Sequence, residues 1–126
     1  MINVLIKTES HYKVDRDRMR KTVEVFLKSR GVKSNVEVSI NIVGDRFMRK
    51  INKKYRSLDE TTTVLTFSLT DEEPQKPFSI PPDGILHLGD IVISYPQVRE
   101  YARAENKLVD EKMDDFVIHG LTNLLE

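Results

Sequence analysis

Alternation of apolar and polar residues marks the strands of this chain. Residues 35–43 alternate with a period of two and predict the clearest strand, with one face open to water. Residues 2–7, 62–68 and 85–94 are short runs of β-branched and apolar residues, and each predicts a further strand. Gly89 interrupts the last run, which indicates a bulge or a close approach of another stretch of backbone.

Helical spacing of apolar residues predicts four helices, over residues 15–30, 44–56 and 95–106 and from residue 108 onward. Asp15 is the expected N-cap of the first helix, and Gly31 is expected to end it. Residues 70–84 are acidic and hold four of the five prolines, so they are expected to form a surface loop.

The order of these elements is β-α-β-α-β-β-α-α. It predicts an α/β (α+β) fold in which helices cover a mixed sheet of about four strands. A length of 126 residues fits a single domain over 1–126. Hydrophobic residues make up 39% of the chain and charged residues 32%, a composition that argues against both a disordered chain and a membrane span.

Charge is distributed unevenly along the chain, although the formal net charge is zero. Residues 1–56 carry 15 Lys and Arg against 6 Asp and Glu, whereas residues 57–126 carry 5 against 14. This polarity predicts one of two arrangements. Either a cationic face attracts nucleic acid through its phosphates, or the two halves pair their charges in the folded chain.

The predicted helix 44–56 has an apolar stripe, formed by Phe47, Met48, Ile51 and Tyr55, and its other faces are basic. Five Lys and Arg fall in its last eight residues, namely Arg49, Lys50, Lys53, Lys54 and Arg56. These cations fit phosphate binding, and Tyr55 could stack on an unpaired base. A solvated face with favourable charge at a helix C-terminus is the alternative. Arg56 directly precedes the loop into the next strand, where its guanidinium could clamp a phosphate.

The last helix carries an apolar stripe that is expected to be core, formed by Met113, Phe116, Val117, Gly120, Leu121 and Leu124. Beside it lie Asp115, His119 and Asn123, each one helical turn from the next. His119 is either a metal ligand or a hydrogen-bonded structural residue. Its neighbour Asn123 is a poor ligand for zinc, which weakens the case for a metal site. Asp90, next to Gly89, could cap a neighbour, orient a histidine, or face water on an edge strand.

Three further features narrow the class of protein. The chain has no cysteine, which excludes disulfides, thiolate metal sites and thiol catalysis. Its apolar runs are too short for a membrane span, and its first residues lack the pattern of a signal peptide, so we expect a cytoplasmic protein. A glycine-rich phosphate loop and a serine nucleophile elbow are both missing from the sequence.

Three segments, taken in order, resemble one family. Residues 52–67 (NKKYRSLDETTTVLTF) are similar to the N-x-x-Y-R-x-x-D-x-P-T-D-V-L-S-F stretch of the YbeY family of rRNA maturation factors. Residues 88–94 (LGDIVIS) match that family's L-G-D-I-V-I-S strand, and residues 119–125 (HGLTNLL) resemble the start of its H-G-x-x-H-L-L-G-x-D-H metal motif. The resemblance extends over nearly the whole chain.

The resemblance implies a metalloprotease-like fold and a single-strand-specific, metal-dependent endoribonuclease. Such an enzyme acts in 16S rRNA 3′-end maturation and ribosome quality control. It implies one zinc ion held by three histidines, with His119 as the first ligand, and it places Arg56 in a cationic cleft near the metal. His119 and Arg56 are then the catalytic residues. Single-stranded ribosomal RNA is the implied partner, with ribosomal proteins or a ribosome-associated GTPase as further ones.

The chain departs from the family pattern in the metal motif. Asn123 occupies the second ligand position, and the third lies beyond Glu126. Metal binding is therefore expected to be impaired in this chain. The alternative is a catalytically inert module that binds RNA or the ribosome. A zincin-like protease is disfavoured because no Glu follows His119.

Overall fold

Helices and strands follow one another in the predicted order in the computed structural model, which describes residues 1–9, 11–32, 35–69 and 84–126. The strands are β1 (Ile2–Thr8), β2 (Val36–Val43), β3 (Val64–Ser68) and β4 (Leu86–Ser94). The helices are α1 (Arg16–Ser29), α2 (Asp45–Arg56), α3 (Tyr95–Glu105) and α4 (Val109–Leu125). Apart from Gly84, the predicted loop at 70–84 lies outside the described residues.

The four strands form one mixed sheet in the order β1-β2-β4-β3. β1, β2 and β4 run parallel, and β3 pairs antiparallel with β4. The predicted α/β (α+β) architecture with a mixed sheet is thereby confirmed. The interpretation of Asp90 as a residue on an edge strand is wrong, because β4 lies between β2 and β3.

The larger part of the core lies on one face of the sheet. Val23 of α1 and Val117 of α4 are fully buried there, together with Ile40 of β2 and Ile91 of β4. The six residues of the predicted apolar stripe on α4 are all buried, so that prediction is confirmed. Side chains alternate between the two faces of a strand, which sets this core on the even positions of β2.

The opposite face of the sheet is covered by α2 alone among the described helices. Met48 of α2 is fully buried there against Val43, Leu65 and Val92. These contacts lie on the side of β4 and β3, so the parts of β1 and β2 on this face stay open. As a result, α2 and α4 pack on opposite faces of the sheet.

Local signals at the helix ends act as the sequence predicts. The backbone N–H of Arg18 donates to the side chain of Asp15 at 3.1 Å, which caps α1. Gly31 follows the helix with a φ of +75°, a conformation that favours glycine. Ser94 caps α3 by accepting from the backbone N–H of Gln97, whereas Gly44 begins α2 without a side-chain cap.

Gly89 forms the predicted irregularity in β4. Glu37 pairs with His87 and the next residue of β2 pairs with Gly89, so β4 holds one extra residue at this point. The φ of Gly89 is +139°, and a Cβ placed there would lie 2.2 Å from the carbonyl oxygen of Phe67. The bulge brings Leu88 and Ile91 onto the same core face and leaves Asp90 on the open one.

In the parts of the chain that the structure describes, no helix has both the length and the apolar character needed to cross a bilayer.

Candidate nucleic-acid interface

The exposed surface of α2 is strongly cationic. Six of its twelve residues are basic and exposed, namely Arg46, Arg49, Lys50, Lys53, Lys54 and Arg56. Its one acidic residue, Asp45, is turned away from this surface and accepts hydrogen bonds from the hydroxyls of Ser94 and Thr61, at 2.7 and 2.9 Å. The helix therefore presents positive charge to solvent with no carboxylate of its own to offset it.

Helix α2 docks on the sheet through a narrower stripe than the sequence predicts. Met48 and Asn52 are buried, whereas Phe47 and Tyr55 from the predicted apolar stripe are 45% and 59% exposed. Because α2 covers one half of its sheet face, the flank that carries Phe47 and Tyr55 lies beside the uncovered half and is only partly packed. Two aromatic side chains are left at the border of the open sheet.

The loop after α2 is held by side chains of the helix itself. The Asn52 amide donates to the carbonyl oxygen of Glu60 at 2.8 Å, and the Arg49 guanidinium donates to the Asp59 carboxylate at 2.8 Å. The hydrogen bond from Arg49 lowers the pKa of the Asp59 carboxyl below its usual value. Arg49 therefore fixes the loop, a role that the sequence analysis, which placed it among phosphate ligands, did not predict.

Arg56 lies at the junction that these contacts hold in place. Its side chain is exposed, and within the described ranges it forms no ion pair. The next residue, Ser57, ends the helix with a φ of +59°. The guanidinium is therefore carried on a fixed turn and is free to meet an anion.

His119 and Arg56 lie on helices that pack on opposite faces of the sheet. It is exposed on α4, which packs against the large core, whereas Arg56 ends α2 on the other face. Strand β3 separates the two helices, because α4 packs on it from one side and Tyr55 contacts Phe67 from the other. The position of Arg56 near a metal held by His119, which the family resemblance implies, stays a prediction.

The residues around His119 do not by themselves fit a zinc site. Asn123, one turn away, is exposed, and Asp115, one turn back, pairs with Lys107 at 3.0 Å and with Lys112 at 3.6 Å. Among the described residues, no group of three His, Asp or Glu side chains lies close enough together to hold an ion. Zinc in proteins requires three or four such ligands, so we assign no chemical step to a metal here.

The other two histidines occupy structural surroundings. His11 packs its ring on that of Tyr12, with centroids 4.1 Å apart. His87 lies on β4 with its Nδ1 3.5 Å from the carboxylate of Glu37. His11 precedes α1, and His87 lies on β4 beside Glu37, so neither is on the helix that carries His119.

A groove of about 600 Å³ opens between α2 and the uncovered half of the sheet. The helix supplies Phe47, Ile51 and Tyr55, and the sheet supplies Leu5, Lys7, Glu37, Ser39, Asn41, Phe67, Asp90 and Val92. The predicted water-exposed face of β2 forms part of the floor, so that signal was present in the sequence. The sequence did not show that α2 and β4 enclose this face of β2, because that depends on which strands become neighbours in the sheet.

A second and smaller cavity lies between α1 and α4. Its volume is about 390 Å³, and Val25, Phe26 and Ile118 provide its apolar lining. Arg18 and Asp114 close one side of it through an ion pair at 2.9 Å. This cavity is on the large-core face and shares no residue with the groove beside α2.

Comparison with known proteins identifies one family. The profile of the family described as Endoribonuclease YbeY matches residues 4–125. Endoribonuclease YbeY of Dehalococcoides mccartyi strain 195 is 36% identical over 129 residues, covering 98% of this chain and 75% of that protein. Endoribonuclease YbeY of Aquifex aeolicus is 34% identical over 122 residues, covering 97% of this chain and 74% of that protein.

A solved structure shows the same fold. The solution structure of TM1509 from Thermotoga maritima superposes with a TM-score of 0.63 and 24% sequence identity. The match covers 98% of this chain and 72% of that one. The arrangement of four helices around a mixed sheet is therefore shared with an experimentally determined protein.

Proposed function

This chain belongs to the YbeY family of endoribonucleases, and on that premise we propose that it cleaves single-stranded ribosomal RNA. The reaction would serve the maturation of 16S rRNA 3′ ends and ribosome quality control, in the cytoplasm where ribosomes are assembled. Ribosomal proteins or a ribosome-associated GTPase would be its protein partners. The observation that carries the proposal is the cationic surface of α2 next to Arg56.

The surface of α2 suits an RNA backbone. Lys50, Lys53 and Lys54 are exposed side by side, and no acidic side chain of the helix lies among them. Cations arranged in this way bind successive phosphates and release counterions, which supplies affinity without reading sequence. Flexible lysines also tolerate the variable backbone path of a single strand.

Two residues have the chemistry needed for cleavage of a phosphodiester. The Arg56 guanidinium would stabilise the charge that develops on the phosphate, since it forms no ion pair with a described residue. The His119 imidazole is exposed and could accept or donate a proton. Zinc stays a prediction from the family resemblance, and no step of this scheme passes through it.

A second candidate function is supported by the surroundings of His119. Asn123, whose amide is a poor ligand for zinc, stands at the second ligand position of the resembled motif. A protein that keeps the cationic helix without a hydrolytic centre would bind RNA or the ribosome and leave the RNA intact. The two candidates therefore differ in cleavage and agree in binding.

Cleavage of a labelled single-stranded RNA carrying a 16S 3′ end separates these candidates. We expect the protein to cut this RNA and to leave its double-stranded form intact. Metal content is measured on the same sample, and the assay is repeated with a chelator. Binding of the RNA with no cleavage under any condition would establish the inert module in place of the enzyme.

Replacing Arg56 by alanine is expected to lower the rate of RNA cleavage by roughly a hundredfold, because one positioned donor to a developing charge is lost. The fold is expected to stay intact, since the side chain is exposed and unpaired among the described residues. Arg20→Ala on α1 is the matched control and should retain its rate. Equal rates for Arg56→Ala and the unchanged protein would remove Arg56 from the site.

A further inference from the structure

The groove beside α2, about 600 Å³ in volume, has no role in the cleavage scheme above. We propose that it binds one unpaired nucleobase of the RNA and prefers guanine, with Asp90 and Asn41 contacting the edge of the base and aromatic side chains contacting its plane. This inference rests on the proposed function in taking RNA as the ligand. It adds a base-specific contact to a surface that otherwise reads only phosphates.

Exposed aromatic rings form one wall of the groove. Phe47 and Tyr55 are 45% and 59% exposed, although both belong to the flank of a helix that is otherwise cationic. Tyr55 is held edge-on against Phe67, with ring centroids 5.0 Å apart. An aromatic ring fixed in this way offers a stacking surface to a flat, neutral base, and stacking of this kind carries much of the affinity for single strands.

The floor of the groove offers hydrogen-bonding groups that match guanine. The Ser39 hydroxyl donates to Oδ1 of Asp90, and the Asn41 amide donates to Ser39 at 3.3 Å. Within the described residues, the second carboxylate oxygen of Asp90 accepts no hydrogen bond, and neither does the amide oxygen of Asn41. Guanine presents two adjacent N–H donors on one edge, whereas uracil presents one donor between two carbonyl oxygens that a carboxylate repels.

The charges around the groove separate base from phosphate. Asp90 and Glu37 outnumber the single cation of the described lining, Lys7, so the sheet side of the groove is net acidic, which disfavours a phosphate there. The exposed cations of α2, such as Lys50 and Lys54, lie on the helix that forms the wall and favour phosphates at the rim. The volume of about 600 Å³ lies within the usual range for a small-molecule site, roughly 300 to 1,000 Å³. A nucleotide with its base inside and its phosphate outside satisfies all of these features.

Titration of the protein with nucleoside 5′-monophosphates, followed by amide resonances in NMR spectra, tests the groove directly. We expect GMP to shift resonances of Ser39, Asn41 and Asp90, and to bind at least about fivefold more tightly than UMP. Equal affinities for the two nucleotides, or shifts confined to other surfaces, would overturn the proposal. The proposal would also be overturned if an arginine amide shifted these resonances and GMP did not. The groove would then suit a basic peptide.

Asp90→Asn is the sharpest variant because it keeps the shape and the bond from Ser39 but places an N–H₂ group in the groove. We expect it to abolish the preference for GMP over UMP, and Asp17→Asn, an equal change of charge on α1, to preserve it. Phe47→Ala should lower the affinity of the groove for both GMP and UMP by roughly tenfold, because a stacking contact is lost. Should Asp90→Asn fail to fold, Asn41→Ala must reduce the preference, and an unchanged ratio in that variant counts against the proposal.

Different results would contradict the proposed RNA cleavage and the proposed base site. Binding of GMP in the groove together with no cleavage of RNA would contradict the proposed enzyme and leave the base site standing. Cleavage of RNA together with equal affinity for all four nucleotides would contradict the base site and leave the enzyme standing.

Discussion

Changing Lys50 and Lys54 together to glutamate is expected to weaken binding of single-stranded RNA by roughly a hundredfold at physiological salt. Each substitution replaces attraction of a phosphate by repulsion on the cationic surface of α2. The dependence of affinity on salt should also become less steep, by about 1.4 in the slope of log K against log salt, since each phosphate contact of a single strand contributes about 0.7. Fluorescence anisotropy of a labelled oligonucleotide at several salt concentrations measures both quantities.

The matched control for this variant changes Lys21 and Lys28 to glutamate. Both are exposed on α1, which packs on the other face of the sheet, and the change in net charge is the same. We expect the control to lose less than about threefold in affinity, because it alters only the long-range field. Equal losses in the two variants would show that RNA responds to total charge and that α2 is not its binding surface.

Replacing Gly89 by alanine is expected to lower the free energy of unfolding by about 3 to 4 kcal/mol. A Cβ at this position would meet the carbonyl oxygen of Phe67 at 2.2 Å and Cα of Ser68 at 3.0 Å, and backbone atoms of a paired strand cannot move aside cheaply. The φ of +139° adds strain of about 1 to 3 kcal/mol for a residue with a side chain. Urea denaturation followed by circular dichroism gives the difference directly.

Gly31→Ala separates the two contributions at Gly89. Gly31 also has a positive φ, +75°, but a Cβ built there meets nothing within 4 Å. This control should cost about 1 to 2 kcal/mol, the ordinary penalty for a side chain in the left-handed region. Losses of equal size at the two positions would mean that the clash between the added Cβ and β3 does not contribute to the loss at Gly89, which would contradict this prediction.

Much of this fold was readable from short-range patterns. The alternation over residues 35–43 specified β2 within one residue, and Asp15 and Gly31 marked the ends of α1. Gly89 could be recognised as an irregular position because glycine inside an apolar strand rarely has another purpose. Each of these signals acts between residues close in sequence, which is why the sequence alone was sufficient.

Features that depend on distant partners were not predictable in the same way. The placement of β4 between β2 and β3 decides that Asp90 faces Ser39, yet nothing near Asp90 in sequence says so. The exposure of Phe47 and Tyr55 follows from how far α2 extends across the sheet. The ion pair of Arg49 with Asp59, at 2.8 Å, could not be predicted because it depends on the path of the loop after α2.

The opposite placement of α2 and α4 bears on the path that RNA takes across this protein. β3 is the last strand of the sheet, with α4 packed on one face and Tyr55 on the other. A ligand that touches both helices must therefore cross the edge of the sheet that β3 forms. RNA in contact with Arg56 and His119 together would lie across this edge, with neither face of the sheet beneath it.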